Sequence, residues 1–93
     1  MHAVVVTADI EAGRADEAEN YLNASVIPGA KARAGFVRGV WLRSGDKSNA
    51  RSVQLYDTEE NATAAVAAVE QGPPPGSPVK IRSVEVFEVL GEA

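Results

Sequence analysis

The sequence predicts an α+β domain whose elements run β-α-β-β-α-β. Three observations carry this reading. β-Branched runs bounded by turn residues recur four times, at Ala3–Ile10, Phe36–Arg43, Arg51–Tyr56 and Val79–Leu90. After the first and third runs the apolar spacing changes from alternation to the i, i+3, i+4 pattern of a helix. Between the second and third lies Ser44–Asn49 (SGDKSN), a cluster of turn formers that suits a hairpin.

The elements follow in order. Ala3–Ile10 (AVVVTADI) is the first strand, closed by Glu11-Ala12-Gly13. Ala15, Ala18, Leu22, Ser25 and Val26 then form the apolar stripe of a helix, with Tyr21 flanking it and Glu17 and Glu19 toward its positive amino end. Pro28-Gly29 is expected to interrupt this helix, Ala30–Ala34 to add a last turn carrying Lys31 and Arg33, and Gly35 to cap it. Asp57-Thr58-Glu59-Glu60 reads as a capping box with Asp57 as acceptor, opening a short alanine-rich helix through Ala62, Ala65, Val66 and Val69. Gln71–Pro78 (QGPPPGSP) reads as a stiff loop. Val79–Leu90 closes the order as a long last strand. This is the split βαβ, ferredoxin-like arrangement, in which right-handed crossovers place both helices on one face of a four-stranded antiparallel sheet.

Composition bounds function. Ninety-three residues make a single domain spanning 1–93, with 45% apolar and 24% charged residues, the balance of a globular chain. A net charge of −4 argues against a nucleic-acid partner, which needs a basic patch. The chain has no cysteine and one histidine, His2, so disulfides, thiolate zinc sites and a Ser–His–Asp triad are not expected. No apolar run approaches the ~18 residues of a membrane span, and no secretion signal is visible, so the expected location is the cytoplasm. Asn23-Ala-Ser and Asn61-Ala-Thr match glycosylation sequons, but both fall within helical patterns. No cofactor and no metal are expected.

The strand faces predict a partner. Val84, Val86 and Leu90 alternate with Phe87 and Val89, and simple alternation adds Val79 and Ile81 to the second set unless a bulge near Ser83 exchanges the faces. Phe36, Val40 and Leu42 alternate with Val37 and Trp41, and Val4 and Val6 with Val5. Two short helices cover one face only, so a sheet apolar on both faces calls for a second copy of the chain, sheet against sheet.

The run Gly35-Phe-Val-Arg-Gly-Val-Trp-Leu-Arg43, a Gly-Asp turn, and Val53-Gln-Leu-Tyr-Asp-Thr-Glu-Glu60 before an alanine-rich helix resemble the dimeric α/β-barrel superfamily. Within it, the chain is most similar to small proteins of the antibiotic biosynthesis monooxygenase-like type. The resemblance implies a barrel of two ferredoxin-like protomers, with ligand pockets between each sheet and its helices. Members include cofactor-independent oxygenases of aromatic substrates, haem-degrading enzymes and isomerases. The haem-degrading branch carries an asparagine on strand one, a tryptophan closing strand three and a histidine on helix two. Here those places hold Val6 or Thr7, Tyr56 and no histidine, so haem is not expected.

The leading expectation is therefore a homodimer that binds a small apolar or aromatic molecule between sheet and helices. The alternative is a cofactor-independent monooxygenase or isomerase acting on a small aromatic or polyketide-like substrate. Tyr21, Trp41 and Tyr56 are the candidate pocket aromatics, and Arg38 the candidate anion holder among the strand arginines. Arg43 and Arg51 flank the hairpin and are expected to form surface ion pairs. His2 is expected to fray. Asp9, Glu11 and Asp57 are expected to cap chain turns, and Glu85 and Glu88 face opposite ways, so neither group forms a metal site. Catalytic residues are not assigned by the sequence.

Overall fold

The computed structural model describes residues 1–93 and shows four strands, β1 (His2–Ile10), β2 (Phe36–Arg43), β3 (Asn49–Tyr56) and β4 (Val79–Glu88). They form one antiparallel sheet in the order β2-β3-β1-β4, the ferredoxin-like topology the element order predicts. The helices are α1 (Ala15–Tyr21), α2 (Ile27–Lys31) and α3 (Glu59–Glu70). They cover one face of the sheet.

The first helical layer departs from expectation in an instructive way. The chain does not break at Pro28. A wide turn over Leu22–Val26 joins α1 to α2, with Ile27 N donating to Leu22 O five residues back. Proline lacks an N–H, and its ring crowds the carbonyl of the preceding turn. The wide turn just upstream relieves that clash, so the axis continues through Pro28. Gly35 then ends the layer at φ +76°, as expected of a helix-terminating glycine.

Three further differences concern boundaries. The acceptor that caps α3 is Thr58, whose Oγ1 takes Asn61 N at 3.1 Å. Asp57 instead accepts from Asn61 Nδ2 at 2.8 Å. At the chain start, His2 does not fray: β1 is a central strand, and His2 pairs with Tyr56 on one side and Glu88 on the other. At the far end β4 stops at Glu88; Val89 N donates to Met1 O at 3.0 Å, and the tail crosses to β2, where Glu92 pairs with Arg38 at 3.4 Å. Arg14 ties the start of α1 to the 71–78 loop by donating to Glu11, Glu17 and the Gly76 carbonyl, and its hydrogen bond lowers the Glu17 pKa.

Two bulges decide the faces. β2 and β3 slip in register between Phe36 and Arg38, which returns Phe36 to the side of Trp41, under the helices. β4 slips against β1 between Thr7 and Ala8, with Arg82 as the extra residue, so Val79 and Ile81 join Val84 and Val86 on the helix side. This corrects simple alternation at both strands. The open face then carries Val40–Val53–Val5–Glu85 as its central cross-strand row, apolar but for Glu85 on the edge strand, bordered by Arg38–Leu55–Ala3–Phe87 and by Leu42–Arg51–Thr7–Ser83. It is apolar at its centre and mixed at its margins, and Trp41 is not part of it. Val40, Leu42 and Phe87 are each about half exposed.

The core sits under α3. Val4, Val6, Tyr56, Ala62 and Ala65 form it, with Phe36, Val66, Val69, Ile81 and Val84 packed around. Alanines at 62 and 65 let α3 lie close to the sheet, and Phe36 meets Tyr56 edge to face at 5.9 Å.

Candidate functional site

Under α1 and α2 the layers stand apart. Only Ala18 and Ala30 of that layer are buried, while Tyr21, Leu22, Val26 and Ile27 are half-buried. The result is a cavity of about 610 Å3 between sheet and helices. Its floor is Val6, Ala8, Ser52 and Gln54, and Trp41, Tyr21 and Val26 stand among its walls. The indole of Trp41 lies over Gly39; a Cβ added at that glycine would meet the ring at 2.7 Å. Trp41 is thus half-buried, not enclosed as a sheet covered on both sides would make it.

A polar cluster forms the floor. Ser52, Gln54 and Tyr56 alternate on β3, so all three face the helices. The Tyr56 hydroxyl donates to Gln54 Oε1 at 2.9 Å, and Gln54 Nε2 donates to Ser52 Oγ at 3.3 Å. Arg33, beyond α2, donates from Nη1 to the same Gln54 oxygen at 3.1 Å and to Tyr56 Oη at 3.4 Å. Two donors on one amide oxygen fix the side-chain amide in a single orientation. At the rim, Arg43 Nη1 pairs with Glu19 Oε1 at 3.1 Å, joining the edge strand to α1.

The candidate residues separate. Tyr21 and Trp41 line the cavity, and Tyr56, fully buried, lies beneath it through Gln54. Arg38 does not belong with them. It lies three residues from Trp41 with no register slip between them, so it points to the open face, where it holds Glu92. The arginine at the cavity is Arg33. It sits in the turn after α2, where its backbone N–H donates to the carbonyl of the buried Ala30 at 3.1 Å. Ser52 and Gln54 carry a signal, two polar residues at alternate positions ending in a tyrosine. Arg43 forms the surface ion pair expected of it, whereas Arg51 forms none. Asp9 holds Arg82 at 3.5 Å and Glu11 holds Arg14 at 2.5 Å; neither forms a metal cluster with other side chains. His2 lies outside the cavity, with Nε2 3.3 Å from Glu59 Oε2.

No family model and no curated protein matches this chain. Solved structures do. MhuD of Mycobacterium tuberculosis, a haem degrader with two haems bound in its active site, matches with a TM-score of 0.72 at 19% identity, over 100% of this chain and 99% of that one. A monooxygenase of Streptomyces coelicolor in complex with Nanaomycin D matches at 0.61 and 14% identity, over 99% and 89%. A dimeric ferredoxin-like protein from an uncultured marine organism matches at 0.64 and 17% identity, over 99% and 97%. The chain therefore has the antibiotic biosynthesis monooxygenase-like fold. The donor set does not fit haem as it stands: no histidine or methionine lines the cavity, and Tyr21 is the one lining side chain of an axial-ligand type. No helix is long and apolar enough to cross a membrane.

Proposed function

We propose that this protein is a homodimer that binds a small, largely apolar or aromatic molecule between its sheet and helices. The observation that carries the reading is the cavity itself. At about 610 Å3 it falls in the range of small-molecule sites, roughly 300–1,000 Å3, and it joins apolar walls to one compact polar cluster. Tyr21 and Trp41 supply aromatic surface, and Tyr56 supports the floor from beneath. The Nanaomycin D complex of the Streptomyces monooxygenase supports this class of ligand.

Binding is the reading the geometry supports over turnover. The Tyr56 proton is committed to Gln54, and the one histidine, His2, lies outside the cavity. Cofactor-free oxygenation or isomerisation stays the alternative for a bound aromatic. It is checked by dioxygen uptake or product formation.

The dimer reading rests on the open face. A central row of Val40, Val53 and Val5, with Leu42 and Phe87 beside it, is the kind of contiguous apolar patch that monomers seldom leave to water. Pairing each face with its copy by a two-fold axis covers both. The dimeric ferredoxin-like neighbour supports a homodimer.

Calorimetric titration with the neutral probe 2-naphthamide tests the binding reading. Saturable binding, one molecule per protomer, with a change in Trp41 fluorescence is the expected result. Absence of saturable binding by 2-naphthamide and by its carboxylate analogue 2-naphthoate overturns it.

A further inference from the structure

We propose that the ligand of this cavity carries a carboxylate, or another planar anion with two oxygens, which Arg33 holds through the side-on edge of its guanidinium. The proposal rests on the reading of the cavity as a ligand site, and three observations carry it further.

The first is a charge imbalance. The chain as a whole is −4, yet on the helix side of the sheet the cavity is lined by two arginines, Arg33 and Arg43, against one acid, Glu19. Glu19 already pairs with Arg43 at 3.1 Å. An acidic protein has thus gathered unneutralised positive charge at its one large cavity, where a low dielectric strengthens attraction for an anion.

The second is the partner set of Arg33. Arg14, Arg38, Arg43 and Arg82 each reach a carboxylate. Arg33 is half-buried and touches only the neutral oxygens of Gln54 and Tyr56. A partly desolvated cation without a counter-charge is costly, and a bound anion removes that cost. Arg51, the other arginine without a carboxylate, projects from an exposed position on β3, where water solvates it.

The third is which edge is engaged. Both bonds to protein leave from Nη1. Nε and Nη2 make none, and neither is sealed from solvent, since the only buried polar side-chain atom without a partner is His2 Nδ1. Those two N–H groups lie parallel on one edge of the guanidinium, the spacing that two carboxylate oxygens match. Gln54, itself held by Tyr56 and Ser52, anchors the opposite side. The donor edge is therefore fixed before a ligand arrives. An aromatic or aliphatic acid would place its carboxylate at Arg33 and its apolar body along Trp41 and Val26.

The experiment compares 2-naphthoate with 2-naphthamide, which share a ring system and differ in charge. In the unmodified protein naphthoate is expected to bind at least ten-fold tighter by calorimetry. Arg33→Gln is expected to erase that preference, lowering naphthoate affinity at least ten-fold more than naphthamide affinity. Equal affinities in the unmodified protein, or a preference that survives Arg33→Gln, overturn the assignment to Arg33 while leaving the cavity reading intact. Failure of both probes removes the cavity reading and this proposal with it. Should Arg33→Gln not fold, Arg33→Lys keeps the charge and removes the parallel pair of donors. A preference cut several-fold then supports the side-on contact, and an undiminished one overturns it.

Discussion

The phenolic hydroxyl of Tyr56 donates to Gln54 Oε1 at 2.9 Å, two residues back on the same strand and the same face of the sheet. This bond joins the core beneath α3 to the cavity beneath α1 and α2, because Tyr56 belongs to the first and Gln54 lines the second. Tyr56→Phe removes it without changing ring packing on Phe36. Gln54 keeps the donor from Arg33, so the expected cost is about 1 kcal/mol by urea denaturation. A loss several times larger would mean that the cluster unravels as a unit.

Gly35 and Gly13 form a controlled pair. Both hold left-handed backbone, at φ +76° and +80°. A Cβ at Gly35 would stand 2.2 Å from Asp57 Oδ1, whereas one at Gly13 meets nothing within 4 Å. Gly13→Ala is expected to cost about 1 kcal/mol from backbone strain alone. Gly35→Ala should cost clearly more, with a correspondingly lower melting temperature. Equal melting temperatures would show that Asp57 and Asn61 move aside freely.

Val53 lies in the centre of the open face, between Val40 and Val5. Val53→Asp places a charge where two copies are expected to meet, and sedimentation at micromolar concentration should show loss of the dimer with aggregation or unfolding. A stable monomer of 9.7 kDa for the unmodified chain would remove the homodimer reading.

Asp46 ties the hairpin between β2 and β3. It accepts from Ser44 Oγ and Ser48 Oγ, each at 2.7 Å, and from Ser48 N at 3.0 Å. These bonds, the Ser48 side chain first, lower its pKa from 3.8 to about 2. A carboxylate with a depressed native pKa adds stability that is full above its unfolded value and is lost as pH falls through the native one. Between pH 4 and 2 the hairpin should therefore lose protection from amide exchange, and Asp46→Asn should flatten that dependence. An Asp46 titration near the ordinary value, followed by NMR, would contradict the triple acceptor.

The sequence by itself determined the element order and hence the topology. Alternating β-branched runs, helical stripes and turn residues are local signals, and right-handed crossovers leave one common way to join them. It offered Tyr21, Trp41 and Tyr56 as pocket candidates, but strand period alone left open which face of the sheet meets the helices. The tertiary structure decided the rest. Whether Phe36, Val79 and Ile81 face the helices depends on two bulges, each a single extra residue set by pairing with a neighbouring strand that is distant in sequence. Arg38 needs no slip, since alternation from Trp41 already sets it on the open face, and the cavity's cation is Arg33, from the turn beyond α2. A one-residue change of register inverts a side chain's direction, and no local pattern in the strand itself records it. The cavity likewise arises from how α1 and α2 stand over the sheet, a matter of packing between layers that no local motif records.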